Sequence, residues 1–179
     1  MSEEVKGKIK KMDKIQYIFK QLTVKGVTDD YVSWLNNPEV NKFLEVRHKK
    51  QTQETVRDYI CSFYSQEEKY IWGIYHNEKM IGTTNLIDVD RERKIAGVGL
   101  MIGNTDYWGR LASDKAFNFV LNFAFNELGM NSVLAVCADE NIGINFTVKK
   151  MGFIRGPVKN LSHNTPAHQW QITKENWSY

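Results

Sequence analysis

No run of about eighteen consecutive apolar residues occurs anywhere in the chain, and its lysine-bearing start has no apolar h-region. A membrane span and a secretory leader are therefore not expected, and the expected location is cytoplasmic. Cysteine is scarce: only Cys61 and Cys137 occur, far apart, with no CxxC spacing and no histidines placed to complete a metal site. No metal centre is expected, and both thiols read as free and buried in a reducing compartment. Excess charge is also lacking. The formal net charge is +3, and residues 1–14 hold five lysines against three acids, so +2 of it sits there and +1 remains for the body. A nucleic-acid surface is not expected. Repeats and low-complexity segments are missing as well.

What is present is an ordinary globular composition. The 179 residues are 42% hydrophobic and 25% charged, enough for one domain with its own core. Residues 1–14 alternate charges without an apolar period and read as a mobile lead-in, which leaves 15–179 for the domain.

Residues 15–24, IQYIFKQLTV, are β-branched and aromatic and predict the first strand. Thr28 and Asp29 cap a helix carrying Tyr31, Val32, Trp34 and Leu35, and Pro38 opens a second, shorter one. Glu45-Val46-Arg47-His48-Lys49-Lys50 is a charged connection. Thr52 starts a capping box with Thr55 in place of glutamate, ahead of the helical face Val56, Tyr59, Ile60, Phe63 and Tyr64. Residues 69–103 read as a three-stranded antiparallel meander, turning at Asn77-Glu78 and at Arg91-Glu92-Arg93.

The chain is organised around residues 94–128, where an apolar strand passes through a polar turn into a helix. Phe117, Val120, Leu121, Ala124, Phe125 and Leu128 form one face of that helix, and Gly129 closes it. At its start, Trp108-Gly109-Arg110-Leu111-Ala112-Ser113 bring free N–H groups and a guanidinium together, an arrangement suited to a phosphate. The bland alternative is an ordinary turn capped by Ser113 or Asp114, with Tyr107 and Trp108 packed under the helix. Ser132 to Ala138 predicts a central strand covered on both faces, followed by a helix from Asn141 to Lys150. A strand near 153–159, a loop at 160–167 and a strand around 168–173 close the chain. The fold class is thus mixed α/β: one domain around a mostly antiparallel sheet of about seven strands flanked by helices.

That order, with WGRLAS after the fourth strand and Asn141 through Lys150-Met151-Gly152-Phe153 after the fifth, resembles the GNAT superfamily of acetyltransferases. Asn37-Pro38-Glu39-Val40, Tyr107-Trp108-Gly109 and Lys174-Glu175-Asn176-Trp177 are similar to its RimJ/RimL-type branch. The resemblance implies acetyl-CoA in a cleft where the fourth and fifth strands splay, and direct transfer to an amine. It implies that the backbone of Leu100, Met101 and Ile102 meets the pantetheine arm and the thioester oxygen. The amides of Gly109, Arg110, Leu111, Ala112 and Ser113 would receive the pyrophosphate, and Asn141, Asn145 and Phe146 would flank the arm. The chain departs from the family pattern at Trp108, where a basic residue or glutamine is usual, at Leu111 and Ser113, where small residues are usual, and at Val148 and Gly97, where a tyrosine acid or a glutamate base stands in many relatives.

An attacking amine must shed a proton, so a group of near-neutral pKa is sought. His48, with Glu45 beside it, is the catalytic candidate; its alternative is a solvated charged loop. Arg47, Asn85 and Asp88 are the candidate acceptor contacts, with an exposed strand end as the alternative for the last two. His76, His163 and His168 read as structural or decorative. The expected partner is a small-molecule amine, an amino sugar that can be nucleotide-linked because Arg47, Lys49 and Lys50 suit a phosphate. A protein N-terminus, a silent acyl-CoA-binding module and a homodimer stay open.

Overall fold

The computed structural model describes residues 15–65 and 68–178, so the expected lead-in of residues 1–14 lies outside the described residues. Seven strands form one sheet: β1 (Ile18–Gln21), β2 (Tyr70–His76), β3 (Lys79–Asp90), β4 (Ile95–Ile102), β5 (Ser132–Ala138), β6 (Ile154–Leu161) and β7 (Thr165–Thr173), in the order β1-β2-β3-β4-β5-β7-β6. Every neighbouring pair is antiparallel except β4 with β5. The helices are α1 (Asp29–Asn36), α2 (Pro38–Asn41), α3 (Gln53–Ser62), α4 (Ala112–Asn122) and α5 (Ile142–Lys150). None is long and apolar enough to cross a membrane.

Local chemistry sets the elements as their residues demand. The Thr28 hydroxyl accepts from Tyr31 N–H at 3.2 Å to start α1. The Thr52–Thr55 box closes in both directions, at 3.2 and 2.9 Å, so a threonine hydroxyl does the work usually left to glutamate. Asn77 and Glu78 both take positive φ, 47° and 64°, the hand of twist a two-residue hairpin needs.

Side chains on the two faces of the sheet feed two different cores. Ile71 and Met101 point to α1 and α3, packing with Leu22, Tyr31, Leu35, Val56 and Ile60. Trp72, Leu86, Val98 and Leu100 point the other way, against Phe117, Leu121 and Phe125 of the long helix and Val148 of α5. The expected face of that helix is buried through Phe125, but its last turn, Phe123–Glu127, is a π-turn in which Leu128 N–H bonds to Phe123 O at 3.0 Å. Gly129, at φ 69°, ends it.

Four expectations change. Strand β1 is only Ile18–Gln21, because Leu22 drops into the core and Val24–Gly26 coil as a 3-10 turn. Residues 160–167 are not a loop: β6 and β7 meet at the short turn Ser162–Asn164, where His163 and Asn164 are left-handed. Strand β5 is interior but not covered on both faces, since Val136, past its last pair with β4, is 44% exposed. Of the thiols, Cys137 is buried, which pushes its pKa up to about 12, whereas Cys61 on α3 is exposed.

Candidate active site

Strands β4 and β5 pair only through Ile95↔Ser132, Ala96↔Val133 and Gly97↔Leu134, and then part. From Val98 to Ile102, β4 keeps its partner β3 on one edge but has none on the other among the described residues. Alternate N–H and C=O groups along that stretch therefore face open space, which a strand of protein would otherwise fill. Trp108 Nε1 donates to one of them, Ile102 O, at 2.9 Å.

A cleft of about 740 Å³ opens from this gap between the α4/α5 side and the α2 side, a size that suits a cofactor. Leu100, Met101, Ile102, Gly109, Leu111, Ala112, Ser113, Asn141 and Phe146 line it, as do Glu39, Val40, Lys42, Phe43 and Leu44 from the α2 side. The loop into α4 carries two left-handed residues, Gly109 (φ 70°) and Leu111 (φ 61°, ψ 9°), on either side of Arg110. Such alternation curls N–H groups toward one concavity. Leu111 is itself the N-cap, and no side chain caps the helix. The first-turn N–H groups of α4 are thus left to whatever occupies the cleft. Asp114, expected as a cap, instead accepts from Lys150 Nζ of α5 at 3.0 Å. The glycine usual at position 111 is explained by this geometry: a left-handed non-glycine residue costs roughly 1–2 kcal/mol.

A cluster behind the loop fixes its shape. Tyr17 Oη donates to Arg110 O at 2.8 Å, and Tyr107 Oη lies 2.8 Å from His76 Nδ1. The Tyr17 ring meets both His76 and Tyr107, at 5.8 and 6.3 Å between centroids. Arg110 sends its guanidinium over the Tyr107 ring, 5.8 Å from the centroid, and its side chain does not line the cleft. Trp108 does not pack under the helix either. It is 45% exposed and walls the cleft, together with Ile142 (80%) and Phe146 (67%), which stand four residues apart on α5.

Asn141 caps α5, its Oδ1 accepting from Ile144 N–H at 3.3 Å. The Asn145 amide is spent within the fold: Nδ2 donates to Ala138 O and Asn141 O, both at 2.8 Å, and Oδ1 accepts from Trp170 Nε1 at 3.0 Å. It anchors α5 to β5 and β7 from outside the cleft lining.

Glu45, Arg47 and His48 sit on a 3-10 turn, Glu45–His48, that clasps the β6–β7 turn. Glu45 Oε2 accepts from the Ser162 N–H and hydroxyl, Arg47 Nη2 donates to Thr165 Oγ1 at 2.8 Å, and the His48 and His163 rings lie 3.7 Å apart. The His48 pKa is lowered from 6.5, first by desolvation and then by His163 and Arg47, against Glu45, which raises it. These surroundings favour the neutral form of His48. The clasp follows directly on Leu44, the last lining residue of that wall. Asn85 and Asp88 lie elsewhere, on β3 at the α1/α3 face of the gap.

Sequence reasoning missed Trp108, Glu39, Lys42, Phe43 and Ile142 as lining residues. The i, i+4 pair Ile142 and Phe146 was a usable signal, being a second apolar stripe on a helix whose core side is Ile144 and Val148.

The cleft fits the coenzyme implied by the sequence resemblance: uncapped N–H groups for a pyrophosphate, unpaired strand groups for an amide-bearing arm, and apolar walls. Residues 18–154 match the family model described as Acetyltransferase (GNAT) domain. The chain is 21% identical over 141 residues to Uncharacterized N-acetyltransferase YoaA of Bacillus subtilis, covering 74% of this chain and 79% of that one. Its fold is similar to spermidine N-acetyltransferase from Vibrio cholerae, solved with CoA and spermine, at TM-score 0.80 and 12% identity over 90% of this chain and 97% of that one. It is also similar to aminoglycoside acetyltransferase AAC(6')-Ib, solved with coenzyme A, at TM-score 0.75 and 16% identity over 90% and 96% of the two chains.

Proposed function

The chain belongs to the GNAT acetyltransferase family and is an acetyl-CoA-dependent N-acetyltransferase, and from that premise we propose that its acceptor is the primary amine of a small amino sugar. The observation that carries this reading is the gap between β4 and β5, which opens to both faces of the sheet. One face offers the N–H cradle of α4, and the other offers side-chain oxygens and an uncovered Val136. The coenzyme supplies the activated acetyl group. The chain's residues would hold its pyrophosphate at the amides of Gly109 to Ser113, and its arm along Leu100 to Ile102 and beside Asn141 and Phe146. Unpaired β4 N–H groups would donate to the thioester oxygen as charge develops there, and CoA would leave as its thiolate as the C–S bond gives way to the new C–N bond. His48 in its neutral form takes the amine's proton directly or through water, and Glu45 holds the turn that carries it.

Arg47 is engaged with Thr165 Oγ1 and Leu44 O, which leaves only Lys49 and Lys50 for a linked phosphate, so the reading is of the amino sugar itself. Branch membership of the RimJ/RimL type is supported by Glu39 and Val40 of the Asn37–Val40 segment, which wall the cleft. The test is thermal stabilisation by acetyl-CoA followed by release of free thiol with glucosamine, an aminoglycoside, spermidine and an N-terminal peptide. Stabilisation with turnover on the sugars is expected. Turnover confined to the peptide would replace the acceptor class, and binding without turnover on any amine would leave a silent acyl-CoA module.

A further inference from the structure

A second cavity, of about 810 Å³, opens at the sheet edge where β1 stops, and it shares no lining residue with the cofactor cleft. Strand β1 ends at Gln21, opposite Trp72, and Leu22 drops into the core after one more hydrogen bond, from its N–H to Ile71 O. Before Ile71, β2 therefore has β3 on one edge and no strand on the other among the described residues. An edge without a partner leaves room beside the side chains that stand along it.

Aromatic rings wall this room. Tyr70 and Trp72 alternate onto one face of β2, with ring planes 9° apart and centroids 6.0 Å apart. Phe123, the first residue of the π-turn that ends the long helix, meets both edge-on, at 5.2 and 4.9 Å between centroids. Phe63 and the half-exposed Tyr64, just beyond α3, complete the aromatic lining. The polar groups among these rings are donors. Arg91 Nη2 donates to Tyr70 Oη at 3.0 Å, and Lys69 Nζ lies 6.0 Å over the Phe63 ring. Neither cation has an ion pair among the described residues. Trp72 Nε1 donates to no group among the described residues, although the residue is only 8% exposed. An indole N–H so placed usually finds an acceptor. No carboxylate lines the cavity among the described residues: Glu68, Asp90 and Glu92 adjoin the two cations in sequence but stay out of the lining, and Asp90 is engaged by Arg93.

We propose that this cavity is a second ligand site and that it takes a planar aromatic acid. The ligand's ring packs among Tyr64, Tyr70 and Phe123. Its carboxylate accepts from Arg91, which the Tyr70 hydroxyl already holds at the cavity, and neutralises Lys69; the Trp72 N–H supplies a further donor on the more buried side. An aromatic amine would meet two cations and no acid, and an aliphatic acid would leave the rings without a stacking partner. The site goes beyond the acceptor reading above and holds whichever amine is acetylated.

The test uses the full chain and three probes, 1-naphthoate, 1-naphthylmethylamine and cyclohexanecarboxylate, read by calorimetric Kd with and without saturating acetyl-CoA. 1-Naphthoate should bind about tenfold tighter than either of the other two, with the same Kd when acetyl-CoA is present, and should move the Trp72 indole N–H signal in NMR. Arg91→Gln should weaken 1-naphthoate about tenfold and Lys69→Gln about threefold. The acetyl-CoA Kd and Tm of both variants should stay at their wild-type values, which separates loss of the site from loss of the fold. No binding of 1-naphthoate at millimolar concentration, equal binding of the amine, displacement by acetyl-CoA, a Trp72 signal that stays in place, or an affinity unmoved in both variants would each overturn the site.

Discussion

The two faces of the β4–β5 gap are built from opposite materials. The α4 face is made of main chain: uncapped N–H groups of the first turn and unpaired groups of β4, curled by the left-handed Gly109 and Leu111. The α1/α3 face is made of side-chain oxygens, Asn85 Oδ1 and Asp88 Oδ2, set over two glycines. Backbone donors suit a negatively charged ligand common to a whole family, because they survive substitution. Side-chain oxygens suit a cationic ligand that differs from one relative to the next.

Removing the proposed proton acceptor should have the largest effect. His48→Ala is expected to lower kcat/KM on the true acceptor about a hundredfold with the acetyl-CoA Kd unchanged. Because the His48 pKa lies below 6.5, the wild-type rate should climb with pH through a limb below that value, as the neutral form appears, and then level off. An identical pH-rate profile in the variant would remove His48 from the chemistry. Ser113→Asp sharpens the contrast on the anionic side. A carboxylate in the first turn favours the helix dipole, so Tm should hold or rise, whereas acetyl-CoA should bind about thirtyfold more weakly. Amine binding on the far face should not respond.

A smaller change is expected for Tyr17→Phe, which removes the hydrogen bond to Arg110 O while keeping the ring contacts. The loop loosens, and acetyl-CoA should lose about fivefold in affinity, with no change in KM for the amine. Smallest is Leu111→Gly. Relief of the left-handed strain should raise Tm by about 2–4 °C in a domain of this size. A fall in Tm together with weaker acetyl-CoA binding would show that the Leu111 side chain packs on the ligand.

The same contrast explains what could be read from the chain. The anion cradle was legible because strand, turn and helix follow one another within residues 94–128, and local spacing carries the signal. The amphipathic face from Phe117 to Phe125, the Asn77-Glu78 turn and the Thr52 box are of the same local kind. Contacts made across the fold left no such trace. Glu45 meets Ser162 and Arg47 meets Thr165, pairings separated by more than a hundred residues, so the polar stretch around 160–167 read as a loop until the clasp explained its order. Trp108 read as core because large aromatics usually are, and the unpaired Ile102 carbonyl that holds it at the cleft wall exists only because β5 diverges. Val136 read as buried within SVLAVCA for the same reason. Leu111 was marked as a departure from a glycine pattern, but the backbone hand that makes glycine usual there is visible only in the turn itself.

The central claim is that anion and amine occupy opposite faces of one gap, and amide NMR tests it directly. Titration with acetyl-CoA should move the backbone signals of Gly109 to Asp114 and leave the Asn85 side-chain amide in place, and later addition of glucosamine should move the Glu45–His48 turn while sparing Gly109 to Asp114. Acetyl-CoA shifts centred on Asn85 and Asp88, or an absence of shifts from Gly109 to Asp114, would contradict the account.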